Sequence, residues 1–76
     1  MDYLRIFGEN VRLRRLQLNL TQKQLAELSD LHRTYVSAIE RGDRNISLKN
    51  IVLVAKALNT EPNELLTFPD EKNKEC

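Results

Sequence analysis

Residues 22–41 read QKQLAELSDLHRTYVSAIER, and the punctuation around and within this stretch decides the fold. Thr21 stands immediately before it and Gln24 follows three residues on. That is a capping box, in which the hydroxyl takes a helix-start N–H and the amide reaches back to the backbone. Leu25, Ala26 and Leu28 supply the apolar side of the helix that follows. It is predicted to stop near Ser29-Asp30 after about two turns. A second helix begins almost at once, from His32 to Arg41, with Val36 and Ile39 inside and Gly42 just past its end. So short a joint forces a sharp crossing, which needs a small residue where the axes meet. Ala26 is that residue. Leu31 in the turn, with Val36 and Ile39, completes an apolar wedge. Two short helices joined in this way form a helix-turn-helix.

Outward from this pair, the pattern stays helical. Toward the N-terminus a helix is predicted from Asp2 to Leu18, with Phe7, Val11 and Leu18 on one face. Asn19 sits where that helix needs a left-handed residue, which Asn tolerates better than most. Toward the C-terminus, Asp43 to Ile46 is a loop and Ser47 caps a fourth helix. That helix carries Leu48, Ile51, Val52, Val54, Ala55 and Leu58 and ends at Asn59. A short fifth helix is predicted from Pro62, which suits a first helical position, to Thr67, with Pro69 ending it. There is no strand-like alternation and no hairpin turn. The expectation is an all-α chain, a compact five-helix domain over residues 1–68. The tail, 69–76, includes DEKNKEC and has nothing to bury, so disorder is expected there.

Composition bounds the function. Seventy-six residues make one domain, and 41% apolar residues suffice for a helical bundle. No apolar run approaches the ~18 residues of a membrane span. The opening MDYLRIFGEN carries charges and no apolar core, so it does not read as a signal peptide. The one cysteine, Cys76, allows no internal disulfide, which fits a reducing compartment. Net charge is +1, but residues 61–76 carry −3 and residues 1–60 carry +4. This separation suits a basic face and equally a solvated mixed surface. No paired Cys/His set, glycine-rich phosphate loop or nucleophile motif is present, so neither catalytic residues nor a cofactor are expected. His32 has no acid or thiol at ligand spacing, which argues against a metal. A protein-interaction module of the antitoxin type is the alternative from another class, although such proteins usually carry longer tails.

From Phe7 to Leu66 the chain resembles the Cro/C1-type (XRE-like) repressor family, as in FGENVRLRRLQLNLTQKQLAEL. The stretch LHRTYVSAIERGDRNISLKNI is similar to the controller proteins of bacterial restriction–modification systems. The resemblance implies a lambda-repressor-like fold and a homodimer on a pseudo-palindromic DNA operator, with two dimers on one operator at higher occupancy. It implies activation of an endonuclease gene and autoregulation of the chain's own gene, in the bacterial cytoplasm at the nucleoid. A phage-type Cro or short repressor is the alternative within the family. The resemblance also implies an internal ion pair between Arg15 and Glu40. Glu27 matches an acidic residue that meets RNA polymerase in activating relatives, or is an ordinary exposed acid. The family usually has glycine where Asn19 and Asp30 stand; both substitutes tolerate positive φ, at about 1 kcal/mol each.

In a helix-turn-helix the second helix of the pair enters the major groove. Arg33, Thr34 and Ser37, with Ala38 beside them, are expected to face outward and meet bases. Arg33 can donate twice to guanine O6 and N7, and Thr34 offers a hydroxyl and a methyl to thymine. Gln22, at the positive end of the first helix of the pair, suits a phosphate. Arg41, Arg44, Asn45 and Ser47 cluster around the following loop and suit the flanking phosphates, Ser47 also being a cap. His32 caps its helix or touches a phosphate. Tyr35 packs on the sugar-phosphate backbone or covers core. One such unit reads few base pairs, so a two-fold dimer is expected, with Val52, Leu65, Leu66 and Phe68 as its apolar surface.

Overall fold

The computed structural model describes residues 2–68 as five helices: α1 (Tyr3–Gln17), α2 (Gln22–Ser29), α3 (Arg33–Arg41), α4 (Leu48–Ala57) and α5 (Pro62–Leu65). The anticipated stop at Pro69, the tail and Cys76 lie outside the described residues. Each junction follows from local chemistry. Asp2 caps α1, its carboxylate accepting from Leu4 N at 3.1 Å and Arg5 N at 3.3 Å. The capping box of α2 closes in both directions: Gln24 N donates to Thr21 Oγ1 at 3.0 Å, and Thr21 N to Gln24 Oε1 at 2.8 Å. Asn19, Asp30, Gly42 and Asn59 take the left-handed conformation at φ of 58°, 59°, 76° and 54°. Asn19 and Asp30, where the resemblance led to the expectation of positive φ, are left-handed, carried by short polar side chains.

The buried core joins all five helices: Phe7 and Val11 of α1, Leu25 and Ala26 of α2, Val36 and Ile39 of α3, Val54 and Ala55 of α4, Leu58 after it, and Leu65 of α5. Leu31, in the turn, packs against it. α1 lies on α3 and α5, α2 on α3 and α4, and α4 on α5. Gly8 lets α1 lie close against the end of α3, since a Cβ there would run into the Ile39 carbonyl oxygen. α1 also holds the ends of two other helices. Asn10, 2% exposed, donates through Nδ2 to the carbonyls of Leu65 at 2.9 Å and Thr67 at 2.6 Å. Arg14 donates to the carbonyls of Leu58 at 3.0 Å and Asn59 at 3.1 Å. These are C-terminal carbonyls that their own helices leave without partners.

Four expectations at the margins of the core are corrected. Leu18 is the C-cap of α1 and exposed, because the chain turns out of the helix toward Asn19. Leu28 is 60% exposed; the inward position falls to Ser29, whose hydroxyl donates to the Leu25 carbonyl at 2.8 Å. α2 packs on α3 and α4 through the 25, 26, 29 side of the helix, and Leu28 lies off that stripe. Leu48 is exposed at the first position of α4, beyond the edge of the core. Finally, α5 ends at Leu65 rather than Thr67, where Asn10 draws off the carbonyls. No helix among the described residues is long and apolar enough to cross a membrane.

Candidate nucleic-acid interface

α3 is amphipathic. Val36, Ala38 and Ile39 are buried, while Arg33 and Thr34 are exposed at its start and Arg41 at its end. Thr34, Ser37 and Arg41 are spaced i, i+3, i+7, which keeps them on one stripe of the helix. Ala38 is not part of that stripe. It is 6% exposed, and the Asp43 N–H bonds its carbonyl at 3.0 Å as the chain turns back at Gly42. His32 is the N-cap of α3, its Nδ1 accepting from Thr34 N at 3.1 Å. The ring nitrogen facing the helix is thus an acceptor.

At the far end of the stripe Arg41 is tethered twice. Its Nη1 donates to Ser37 Oγ at 2.8 Å and its Nε to Asp43 Oδ2 at 2.8 Å. Both partners of the ion pair are more than half exposed, so it is worth little and can exchange for a phosphate. Arg44 comes back over α3 with its guanidinium 5.2 Å from the centre of the Tyr35 ring, a cation–π contact. The Tyr35 hydroxyl accepts from Asn50 Nδ2 at 3.1 Å, leaving its own hydrogen to donate elsewhere. Tyr35 packs against the core, as one of its two expected roles has it, and carries Arg44 on its ring. Ser47 caps α4 by accepting from Asn50 N at 3.1 Å, and Asn45 is exposed. Glu27 is exposed on α2.

Behind the stripe lies a buried polar centre. Arg15 and Glu40 meet as two parallel hydrogen bonds, Nε to Oε2 at 2.7 Å and Nη2 to Oε1 at 3.0 Å, with side chains only 12% and 4% exposed. The remaining Arg15 nitrogen donates to the Leu20 carbonyl at 2.9 Å. The bonds from Glu40 hold the guanidinium protonated beyond its ordinary alkaline range, more than burial opposes it. A raised base contributes stability below its unfolded pKa, so this contribution is complete at any neutral pH. Gln22 joins the centre, its Nε2 donating to Glu40 Oε1 at 3.1 Å. The half-buried Gln22 is thus tied to the end of α3 as well as standing at the start of α2.

The expected dimer surface needs one correction. Leu65 is 1% exposed within a single chain and belongs to the core, held there by the bond from Asn10 to its carbonyl. Leu66 is 41% exposed, and Val52 and Phe68 are half-buried. The Phe68 ring lies 6.2 Å from that of Tyr3, which sequence reasoning passed over, as it did Asn10, Arg14 and Asn50. An asparagine three residues from Phe7 and next to Val11 on an inward face was the one available sign.

A short-turn helix pair with a polar stripe on its second helix, clamped by three further helices, defines a helix-turn-helix domain. The chain matches the helix-turn-helix family model over residues 11–65 and belongs to that family, in the XRE-type group that contains the restriction–modification controller proteins. It is 49% identical over 75 residues to the control protein C.SmaI of Serratia marcescens, covering 99% of this chain and 89% of that one. Its fold superposes on the controller protein C.AhdI from Aeromonas hydrophila with a TM-score of 0.80 at 50% identity, over 82% of this chain and 94% of that one. It is also similar to the controller protein C.Esp1396I, solved as a tetramer with its natural 35 base-pair operator. That match has a TM-score of 0.76 and 32% identity, over 88% of this chain and 99% of that one.

Proposed function

We propose that this protein is a sequence-specific transcriptional regulator and the controller of a restriction–modification system. In this reading it binds operator DNA as a homodimer, activates expression of the endonuclease and represses its own gene when a second dimer joins the same operator. The observation that carries the reading is the outer side of α3: Arg33 and Thr34 exposed at the helix start, over a packed inner face, on a chain so similar to controller proteins. Arg33, Thr34 and Ser37 meet base edges in the major groove. Gln22, His32, Tyr35, Arg41, Arg44, Asn45 and Ser47 hold the phosphates on either side. Val52, Leu66 and Phe68 form the dimer surface. The protein acts at the nucleoid of a bacterial cytoplasm, and exposed Glu27 on α2 meets RNA polymerase.

Footprinting on the DNA upstream of the gene tests the core of this. Protection of a pseudo-palindrome there, doubling in length as protein is added, is the expected result. Protection that never exceeds random DNA removes the regulator reading. For the polymerase contact, Glu27→Lys is expected to spare operator affinity and abolish activation in transcription reactions. Activation that survives the change removes Glu27.

A further inference from the structure

Gln22 and Glu40 belong to different helices, and their bond is the link between the buried ion pair and the face assigned to DNA. We propose that Glu40 is a positioning residue for DNA binding, acting through Gln22: it turns the amide nitrogen of Gln22, and not its oxygen, toward the phosphate. The inference rests on the reading of Gln22 as a backbone contact.

The argument is one of donors and acceptors. An ionised carboxylate only accepts, so only the nitrogen end of the Gln22 amide can face Glu40. That nitrogen carries two hydrogens in a fixed plane. One is spent on Glu40 Oε1, and the other is left at a set angle to it. A phosphate also only accepts and needs the same end of the amide. A glutamine free at a helix start rotates, offering its carbonyl oxygen as readily, and must be ordered on binding. Here the ordering is built into the fold. The capping box occupies the Thr21 and Gln24 backbone N–H groups, so the backbone N–H groups of Gln22 and Lys23 and the held amide are the donors at this helix end. Arg15 makes the arrangement workable. By pairing with both Glu40 oxygens it neutralises a carboxylate that would otherwise repel the phosphate. Arg15 is itself fixed by the Leu20 carbonyl.

The test is a double-mutant cycle of Gln22→Ala and Glu40→Gln. Affinity is read on the footprinted operator and on a random duplex, well below every melting temperature, and the melting temperatures are recorded alongside. Gln22→Ala is expected to weaken both duplexes roughly two- to tenfold, the scale of one hydrogen bond. The salt slope should be unchanged because the amide is neutral. Glu40→Gln also frees the Arg15 charge, which acts alike in both backgrounds, so its loss of affinity should be larger in the parent than in the Gln22→Ala background by about the factor that Gln22→Ala itself shows. The effect of Glu40→Gln on melting temperature should be slightly smaller in the Gln22→Ala background, where the bond between the two side chains is already gone. A purely structural Glu40 would lower affinity equally in both backgrounds, or in neither, and either result overturns the proposal. Should Glu40→Gln not fold, Glu40→Asp keeps the negative charge but draws the carboxylate back from both Gln22 and Arg15, and its effect on affinity must show the same dependence on Gln22. If Gln22→Ala alone leaves both affinities unchanged, the backbone-contact reading of Gln22 fails first, and the role given to Glu40 falls with it.

Discussion

Arg33 and Arg44 carry the same group in different settings, and the settings predict different behaviour. Arg33 is exposed at the start of α3, where a bidentate bond to guanine depends on one base pair. Arg33→Ala is expected to cost about 1–3 kcal/mol per half-site on the cognate operator and much less on random DNA. Arg44 lies along the Tyr35 ring beside the assigned backbone contacts. Arg44→Ala should weaken both DNAs alike and reduce the slope of log K against log salt by about 0.9 per subunit. Titrations of both duplexes at several salt concentrations separate the two roles. Equal losses on both DNAs for Arg33→Ala would make it a backbone clamp. Glu40 poses the third question at this scale. Glu40→Ala leaves Arg15 largely buried without its partner, at about 3 kcal/mol, and the melting temperature should fall on the order of 10–20 °C.

At the scale of the element, α1 is a bracket as much as a helix. Its side chains close the carbonyl ends of α4 and α5, and its backbone touches the end of α3 at Gly8. Helix propensity alone says that Gly8→Ala stabilises α1 by about 1 kcal/mol. The added Cβ would instead meet backbone carbonyl oxygens at Ile39 and Glu40, which cannot swing aside as a side chain can. Gly8→Ala is therefore expected to lower stability in thermal melts followed by circular dichroism. An unchanged or raised melting temperature would mean that α1 and α3 can part at no cost. Asn10→Ala strips two carbonyls of their donor and should cost about 2 kcal/mol. The buried Asn10 Oδ1 has no partner among the described residues, so part of that loss is returned when the side chain goes.

For the whole molecule, one copy is 34 Å along its longest axis, about one turn of B-DNA, and presents a single α3. A longer operator needs a second copy. Sedimentation at tens of micromolar is expected to show a dimer, and Leu66→Asp with Phe68→Asp should produce a folded monomer with weakened operator binding. A parent chain that is monomeric under those conditions contradicts the assembly. Leu65 is reserved for folding: Leu65→Ala should cost about 2–5 kcal/mol at any protein concentration, because the side chain is buried within one copy.

What the sequence determined by itself was its punctuation. Thr21 with Gln24, the left-handed Asn19, the helix end at Asn59, the glycine at Gly42, the cap at Ser47 and Pro62 at a helix start were all legible. Each depends on hydrogen bonds or steric limits reaching no more than a few residues along the chain. Tertiary structure alone decided the sides and the distant bonds. Leu28 and Ser29 are adjacent, and which one turns inward depends on how α3 and α4 sit against α2, not on hydropathy. The same holds for Ala38 beneath the returning loop and for Leu65 in the core. Asn10 and Arg14 gain their partners only when carbonyls more than forty residues away fold back beside them. The tie from Gln22 to Glu40 belongs with these. It forms only because packing brings the start of α2 to the end of α3, and spacing along the chain carries no trace of it.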